Sequence, residues 1–429
     1  NLVILTTSGP LTYNKDENGT INGLEHDLAE AFAEELGVAA EFILVTPEEI
    51  EGKLASGKGH LAIGWLPASP EGPFRTTAPI MQSRDIIIQH EASLPLDEIG
   101  DLHDKTVHAL AGSRQLETLR QLQGKLPSLK VNEVKGTDIY ALLEALNNHK
   151  IELAAIDSSL VDIATQFIPS LQATLELNED QPIVWWFSAS PNTELLERTR
   201  SFVQRAQTDG TLARLEDRYF GHVRRLKQPD IIKFLEKIGS VLPKFRQHFL
   251  TAQNITGIDW RLIAAVAYHE SQWDPNATSP TSVRGIMMLT EETADRLGVS
   301  NRLDAQESIQ AGARYINILL NMQAEEVREP DRTWLALASY NIGPGHFNSA
   351  RSLAKLQGAD PSSWYEMKRI LPLLAQAKYA QRVMSGRARG GEAVILVENI
   401  RSYYDILVRN QPATPSPREK KVEQRGLKA

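Results

Sequence analysis

The 429-residue sequence contains no cysteine, which excludes disulfides, thiolate metal sites and a lipidated N-terminal Cys. The absence is compatible with an oxidising compartment without requiring one. No run of about 18 apolar residues occurs, so no segment reads as a membrane-spanning helix. Positive charge is in deficit: 46 Lys and Arg stand against 54 Asp and Glu, a net charge of −8, and no long basic block interrupts the folded part. That balance argues against a general nucleic-acid binder. The ten histidines are dispersed, with no His-x-x-x-His spacing, so neither a metal site nor a cofactor is expected. The sequence starts at Asn1 rather than Met, which is read as the trace of a removed signal segment.

What is present is the composition of an ordinary soluble globular protein, 42% hydrophobic, at a length that makes two domains the default. Over residues 1–221 short β-like runs alternate with helical stretches. Leu2-Val-Ile-Leu-Thr6 reads as a strand, Leu24 to Leu36 as a helix stopped by Gly37, Phe42-Ile-Leu-Val as a strand, Pro47 to Ala55 as a helix and His60-Leu-Ala-Ile-Gly64 as a third strand. That βαβαβ order predicts a parallel α/β sheet. A similar unit restarts at Thr106-Val-His-Ala-Leu110, passes Gly112-Ser113 into a helix, and reaches Leu153-Ala-Ala-Ile-Asp157. Two α/β lobes in series are therefore expected. Arg224-Arg-Leu-Lys-Gln-Pro229 is a polar junction, and residues 222–239 are read as a linker. Beyond it apolar residues recur near every 3.6 positions almost to Val408, which predicts an all-α domain over 240–408. Residues 409–429, with Pro412, Pro415 and Pro417 followed by mixed charges, read as a disordered tail.

Glu270 carries the most chemical information. It ends the apolar helical stretch Trp260-Arg-Leu-Ile-Ala-Ala-Val-Ala-Tyr-His-Glu270, where Ile263, Ala267 and Glu270 share one stripe. Apolar surroundings and the negative end of a helix dipole both penalise its charged form and push its pKa upward. A carboxyl group kept protonated near neutral pH is what cleavage of a glycosidic bond needs as general acid. The alternative is a helix-terminal Glu that points to water. His269 projects about 100° away on the same helix and reads as structural.

The run Glu270-Ser-Gln-Trp-Asp-Pro275-Asn-Ala-Thr-Ser279, followed by Arg284-Gly285-Ile-Met-Met-Leu-Thr290, resembles the signature of the soluble-lytic-transglycosylase family. Ala338-Ser-Tyr340-Asn341-Ile-Gly343 is similar to that family's Ala-x-Tyr-Asn-x-Gly motif. Ala388-Arg-Gly-Gly-Glu392-Ala with Val397-Glu-Asn399-Ile-Arg401-Ser-Tyr403-Tyr404 is similar to its closing helix. The nearest pattern is the membrane-bound lytic murein transglycosylase F group, in which such a domain follows a solute-binding-like one. The resemblance implies a C-terminal all-α lysozyme-like domain that cleaves the bond between N-acetylmuramic acid and N-acetylglucosamine in peptidoglycan glycan strands. In that chemistry Glu270 acts alone and leaves 1,6-anhydromuramic ends.

Ser279, Met287, Tyr340 and Asn341 would then bind substrate. Ser279 also reads as a plain turn hydroxyl, and Tyr340 as a core residue beside a capping Asn341. Trp273 reads as a plug beneath Glu270, Asp274 as a turn residue before Pro275, and Gly285 as a point of close backbone approach. Two departures stand out: Met288 replaces the family's usual Gln, and Leu396 replaces a Tyr expected to assist near the acid. A water-admitting muramidase and a catalytically impaired sensing protein are the competing readings. The resemblance also implies a periplasmic enzyme, peripherally attached to the inner face of the outer membrane of a Gram-negative bacterium.

The N-terminal half resembles the type-3 periplasmic solute-binding fold, a bilobed α/β domain. The cues are Gly23-Leu-Glu-His-Asp27-Leu-Ala, Asp104-Lys-Thr-Val with Gly112-Ser113, and Asp209-Gly-Thr-Leu ending at Tyr219-Phe-Gly221. The resemblance implies effector binding, by a muropeptide or an amino acid, through Asp157, Gly112, Ser113 and Arg75. Arg75 is displaced from the family's position by Ser69-Pro-Glu-Gly72, and His60 stands where Asp is common, so a docking domain is the alternative.

Overall fold

A computed structural model describes residues 1–15, 19–68 and 74–414. The Ser69–Gly72 departure lies outside the described residues, as does the expected tail from residue 415 onward. The chain divides into two compact units, Asn1–Arg224 and Arg225–Ala429.

In the first unit the strand Leu2–Thr6 lies between Ala40–Leu44 and Leu61–Pro67 and runs parallel to both. The helix Leu24–Leu36 connects the first two of these and stops at Gly37, whose φ of 69° suits the left-handed cap. A second sheet places Lys130–Val134, Thr106–Leu110, Leu153–Asp157, Asp85–His90 and Leu171–Glu176 side by side in that order. Asp85–His90 is antiparallel to both of its neighbours.

The lobes are not strictly in series, which corrects the sequence reading. Gln181–Phe187 returns to the first sheet, antiparallel to Leu61–Pro67. The helices Thr193–Ala206 and Thr211–Phe220 then complete the first lobe's core, where Leu196, Phe202, Val203 and Leu212 join Ile4, Leu28 and Phe32. Ile183-Val-Trp-Trp-Phe187 is wholly buried, so its sequence lacks the alternation that announces a strand, and nothing local says which sheet it joins.

The second unit is helical, and among its described residues only isolated β-bridges occur. Its centre is the helix Trp260–Ser271, in which every residue from Trp260 to Tyr268 is buried. A helix apolar on all sides belongs inside a bundle, and Ala264, Ala265 and Ala267 let neighbouring helices approach closely. The buried Arg261 is satisfied by Asp259, with Nη2 to Oδ2 at 2.7 Å. The helices Leu242–Thr256 and Gly390–Asn410 pack on this centre.

The segment expected as a linker is a helix from Gln228 to Ser240 that belongs to the second unit. Its spacing of Ile231, Phe234 and Ile238 buries one face, with Phe234 fully enclosed against Tyr268, Trp273 and Tyr403. The polar composition of 224–229 masked an amphipathic pattern that begins immediately after it.

Candidate active site

Glu270 stands in the last turn of the central helix, where the chain leaves the bundle interior. Ile263 and Ala267, on the same stripe, are completely buried. The carboxyl itself is half-buried, and burial alone pushes its pKa up to about 7. Among the described residues no protein group hydrogen-bonds it, so nothing holds the charged form in place. At neutral pH roughly half of such carboxyls carry a proton.

The backbone after Glu270 is strained. Gln272 and Trp273 are consecutive non-glycine residues with φ of 53° and 64°. Each such left-handed residue costs on the order of 1–3 kcal/mol and needs surroundings that enforce it. Trp273 supplies part of the restraint: its ring is 1% exposed and its indole N–H donates to Ala264 O at 2.8 Å. It is the plug the sequence suggested. Ser271 Oγ donates to Ala267 O and Ile286 O, at 3.1 and 2.8 Å, which ties the helix end to the following loop. Asp274 is exposed and accepts from the Asn276 N–H at 2.9 Å, a turn role. His269 is held neutral by burial, with its pKa lowered to about 4.

The remaining candidates divide. Tyr340 is brought to Glu270: its O–H donates to Met287 O at 2.7 Å, and burial together with the Glu270 charge holds the phenol well above its usual pKa. Asn341 follows on the exposed last turn of the helix Asp331–Ile342, with its side chain open to solvent. Met287, expected to bind substrate, has no side chain open to a sugar. Its side chain is 0% exposed and packs on Gly312, and its carbonyl accepts from Tyr340. Ser279 Oγ accepts the N–H groups of Thr281 and Val283 and organises the 279–283 turn, the plain turn role. Gly285, with φ 83°, meets a neighbouring segment: a Cβ there would lie 1.8 Å from Arg302 O. Leu396 is buried in the core and brings no polar group to the acid; the phenol that feels the Glu270 charge is Tyr340. The closing helix is fixed by a buried network in which Glu398 accepts from the Trp364 indole at 2.7 Å and from Arg401 at 2.8 Å.

In the first unit a cleft of about 910 Å³ is lined by Gly112, Ser113, Arg114, Asp157, Trp65 and Trp186, among others. Gly112 has φ 69° and sits where a Cβ would meet Glu48 N at 2.4 Å. Ser113 Oγ caps the helix Arg114–Lys125 by accepting from Leu116 N. Asp157 is buried but already engaged, accepting from Arg114 Nη2 at 2.8 Å and from Ser159 N at 2.8 Å. Burial raises its pKa even so. Arg114 also reaches Asp85, with Nε to Oδ1 at 2.9 Å. Arg75 is exposed on the two-residue strand Arg75–Thr76 and does not line the cleft, which corrects its expected place. Arg114, which with Arg120 supplies the guanidinium groups lining the cleft, was missed although it directly follows Ser113. Beneath the cleft Glu25 is buried with its pKa raised to about 8, and accepts the Trp65 N–H at 2.7 Å.

Among the described residues no group of His, Cys, Asp and Glu could hold a metal ion, and no helix is long and apolar enough to cross a membrane.

Residues 247–361 match the transglycosylase SLT domain, and residues 2–222 match the bacterial extracellular solute-binding proteins, family 3. Along nearly its whole length the chain is similar to proteins named membrane-bound lytic murein transglycosylase F. Identity is 41% to that of Nitrosospira multiformis, covering 96% of this chain and 86% of the relative. It is 39% to that of Methylobacillus flagellatus, covering 96% and 88%. The first unit is also similar to a solved ancestral arginine-binding protein bound to arginine, at 23% identity and a TM-score of 0.47, covering 51% of this chain and 97% of that one. The chain belongs to the membrane-bound lytic murein transglycosylase F family.

Proposed function

We infer that the protein is a lytic transglycosylase that cleaves the β-1,4 bond between N-acetylmuramic acid and N-acetylglucosamine in peptidoglycan, serving cell-wall remodelling and turnover. The observation that carries this reading is Glu270, a half-buried carboxyl with no hydrogen-bond partner among the described residues and a pKa raised to about 7. Protonated, it donates to the glycosidic oxygen as the bond to the muramoyl anomeric carbon breaks. As carboxylate it then takes the proton of the muramoyl C6 hydroxyl, whose oxygen bonds to the same anomeric carbon. One group thus serves twice and is regenerated. The C6 hydroxyl belongs to the reacting sugar, so its high effective concentration replaces a water held by a second carboxylate. Asp274, the nearest acid in sequence, is committed to its turn. Tyr340 and Asn341 are the polar groups best placed to bind the sugar. Ser279 contributes through the turn it organises.

Products should therefore carry 1,6-anhydromuramic ends. Digestion of sacculi in ¹⁸O-water, read by mass spectrometry, checks this: label in most muramic ends would establish hydrolysis and favour a muramidase.

The enzyme acts in the periplasm, peripherally attached to the inner face of the outer membrane. The relatives' membrane-bound name supports an envelope location. The first unit binds a cell-wall-derived peptide in preference to a free amino acid. Supporting this, Asp157 is already paired with Arg114, Arg75 stands outside the cleft, and about 910 Å³ is generous for one amino acid. A ligand biases activity only if it prefers one of two states. Stem peptides are expected to bind the intact chain in calorimetry and to change its cleavage rate, while free amino acids do neither. Absence of any binding would make this unit a docking surface.

A further inference from the structure

The helix Gln228–Ser240 lies between the two segments that match known families, 2–222 and 247–361, and neither accounts for it. Two of its side chains meet the strained turn that follows Glu270. Phe234 packs its ring against Tyr268 and Trp273, with centroids 4.3 and 5.6 Å apart, and against Tyr403 at 4.7 Å. One turn further along, Lys237 Nζ donates to the backbone carbonyl of Gln272 at 3.1 Å and lies 3.3 Å from its side-chain Oε1. The same ammonium stands 5.8 Å from the centre of the Tyr268 ring.

Gln272 is the cap of the central helix and has φ 53°. Its carbonyl has turned away from helical geometry, and a cation there offsets both the orphan acceptor and the negative helix end. We propose that Lys237 is a positioning residue for the transglycosylase reaction, holding the left-handed Gln272–Trp273 turn so that Glu270 keeps its orientation toward the sugar. It touches no substrate. Its effect reaches the acid through two residues of backbone. Trp273 anchors the turn from inside the bundle through Ala264, and Lys237 anchors it from the surface side. With the second anchor removed, the turn can relax toward an ordinary helix end and carry Glu270 with it. An acid displaced by about 1 Å loses turnover without losing affinity for the glycan. The inference rests on Glu270 being the acid.

The test uses the intact protein and soluble uncrosslinked glycan strands, with kcat, KM and melting temperature measured together. Lys237→Met keeps the stem over Tyr268 and removes the donor. It is expected to lower kcat about tenfold with KM within about twofold. Lys237→Arg, which restores a donor, is expected to recover at least about half of the lost turnover. Lys233→Met, on the exposed side of the same helix, controls for loss of one positive charge and should match wild type. Wild-type kcat in Lys237→Met overturns the proposal. So does a joint fall of kcat and melting temperature that Arg does not rescue, since that marks a purely structural residue. Glu270→Gln in the same assay separates the two readings. If it stays active, the acid assignment fails and this inference with it. If it is inactive while Lys237→Met is unimpaired, only the positioning role fails.

Discussion

Glu270→Gln is expected to abolish peptidoglycan cleavage while the protein stays folded. The amide matches the carboxyl in size but supplies no proton to the leaving oxygen and accepts none from the C6 hydroxyl. Loss of a general acid costs roughly 10²–10⁴-fold, and in the proposed reaction the same group also serves as the base, so the upper part of that range is expected. Its environment fixes the pH behaviour. Burial raises the Glu270 pKa to about 7, and among the described residues no cation or hydrogen bond opposes it. The proton-donating form therefore predominates below that value, and kcat should fall as pH rises through 7. The same shift has a stability consequence. A carboxyl whose folded pKa is raised contributes stability that is full below its ordinary value near 4.5 and is lost as pH rises through 7. The amide has no charge to bury, so Glu270→Gln should melt no lower than wild type at pH 8. A folded variant retaining a tenth of wild-type turnover would remove Glu270 from the reaction.

Much of this was legible in the sequence, and the parts that were not share a cause. The helix Leu24–Leu36 announced both ends through its apolar period and Gly37, and the stripe of Ile263, Ala267 and Glu270 predicted a carboxylate on a buried face. These are local patterns. The return of Gln181–Phe187 to the first sheet is not local, because a strand buried on both faces carries no alternation to say where it belongs. Phe234 and Lys237 were hidden for a different reason. The polar run before Pro229 suggested a linker, although Ile231, Phe234 and Ile238 already had helical spacing. At the site, Leu396 raised the question of a missing phenol. The fold puts buried Leu396 in the core and leaves Tyr340, already named by its motif, as the phenol that feels the Glu270 charge. Met287 and Ser279 were chosen by motif, and motif position does not say whether a side chain, a carbonyl or a turn is the part that matters.

The pairing of Arg114 is the clearest case of a contact that only the fold creates, and it leads to the second large effect. Asp85 and Asp157 begin and end neighbouring antiparallel strands and stand directly opposite each other in register. Both carboxylates are buried, and one guanidinium serves both, with Nη2 2.8 Å from each. Asp85 has further donors in Gln115, Thr118 and Asn178, at 2.7, 2.6 and 2.8 Å. Besides Arg114, Asp157 accepts the Ser159 N–H. Arg114→Met would leave two facing carboxylates without a counter-charge. Breaking a buried pair from one side costs about 3–5 kcal/mol, against a total of roughly 5–15 kcal/mol for a whole domain. The first unit should accordingly melt about 10 °C lower, as read by calorimetry on the intact chain. The loss should also depend on pH in a defined sense. Burial already raises the Asp157 pKa, and Arg114 is the largest of the groups that restrain that rise, ahead of Ser83 and Ser159. Without Arg114 the folded pKa climbs further, so the stability deficit relative to wild type is small in acid and grows as pH increases through the new value. Asp157→Asn in the Arg114→Met background removes one of the two stranded charges and should recover part of the loss, whereas Arg114→Lys cannot span both acids as a planar fork does. A melting temperature within about 2 °C of wild type, or a deficit that is the same at pH 5 and pH 8, would mean that Arg114 does not compensate these two acids.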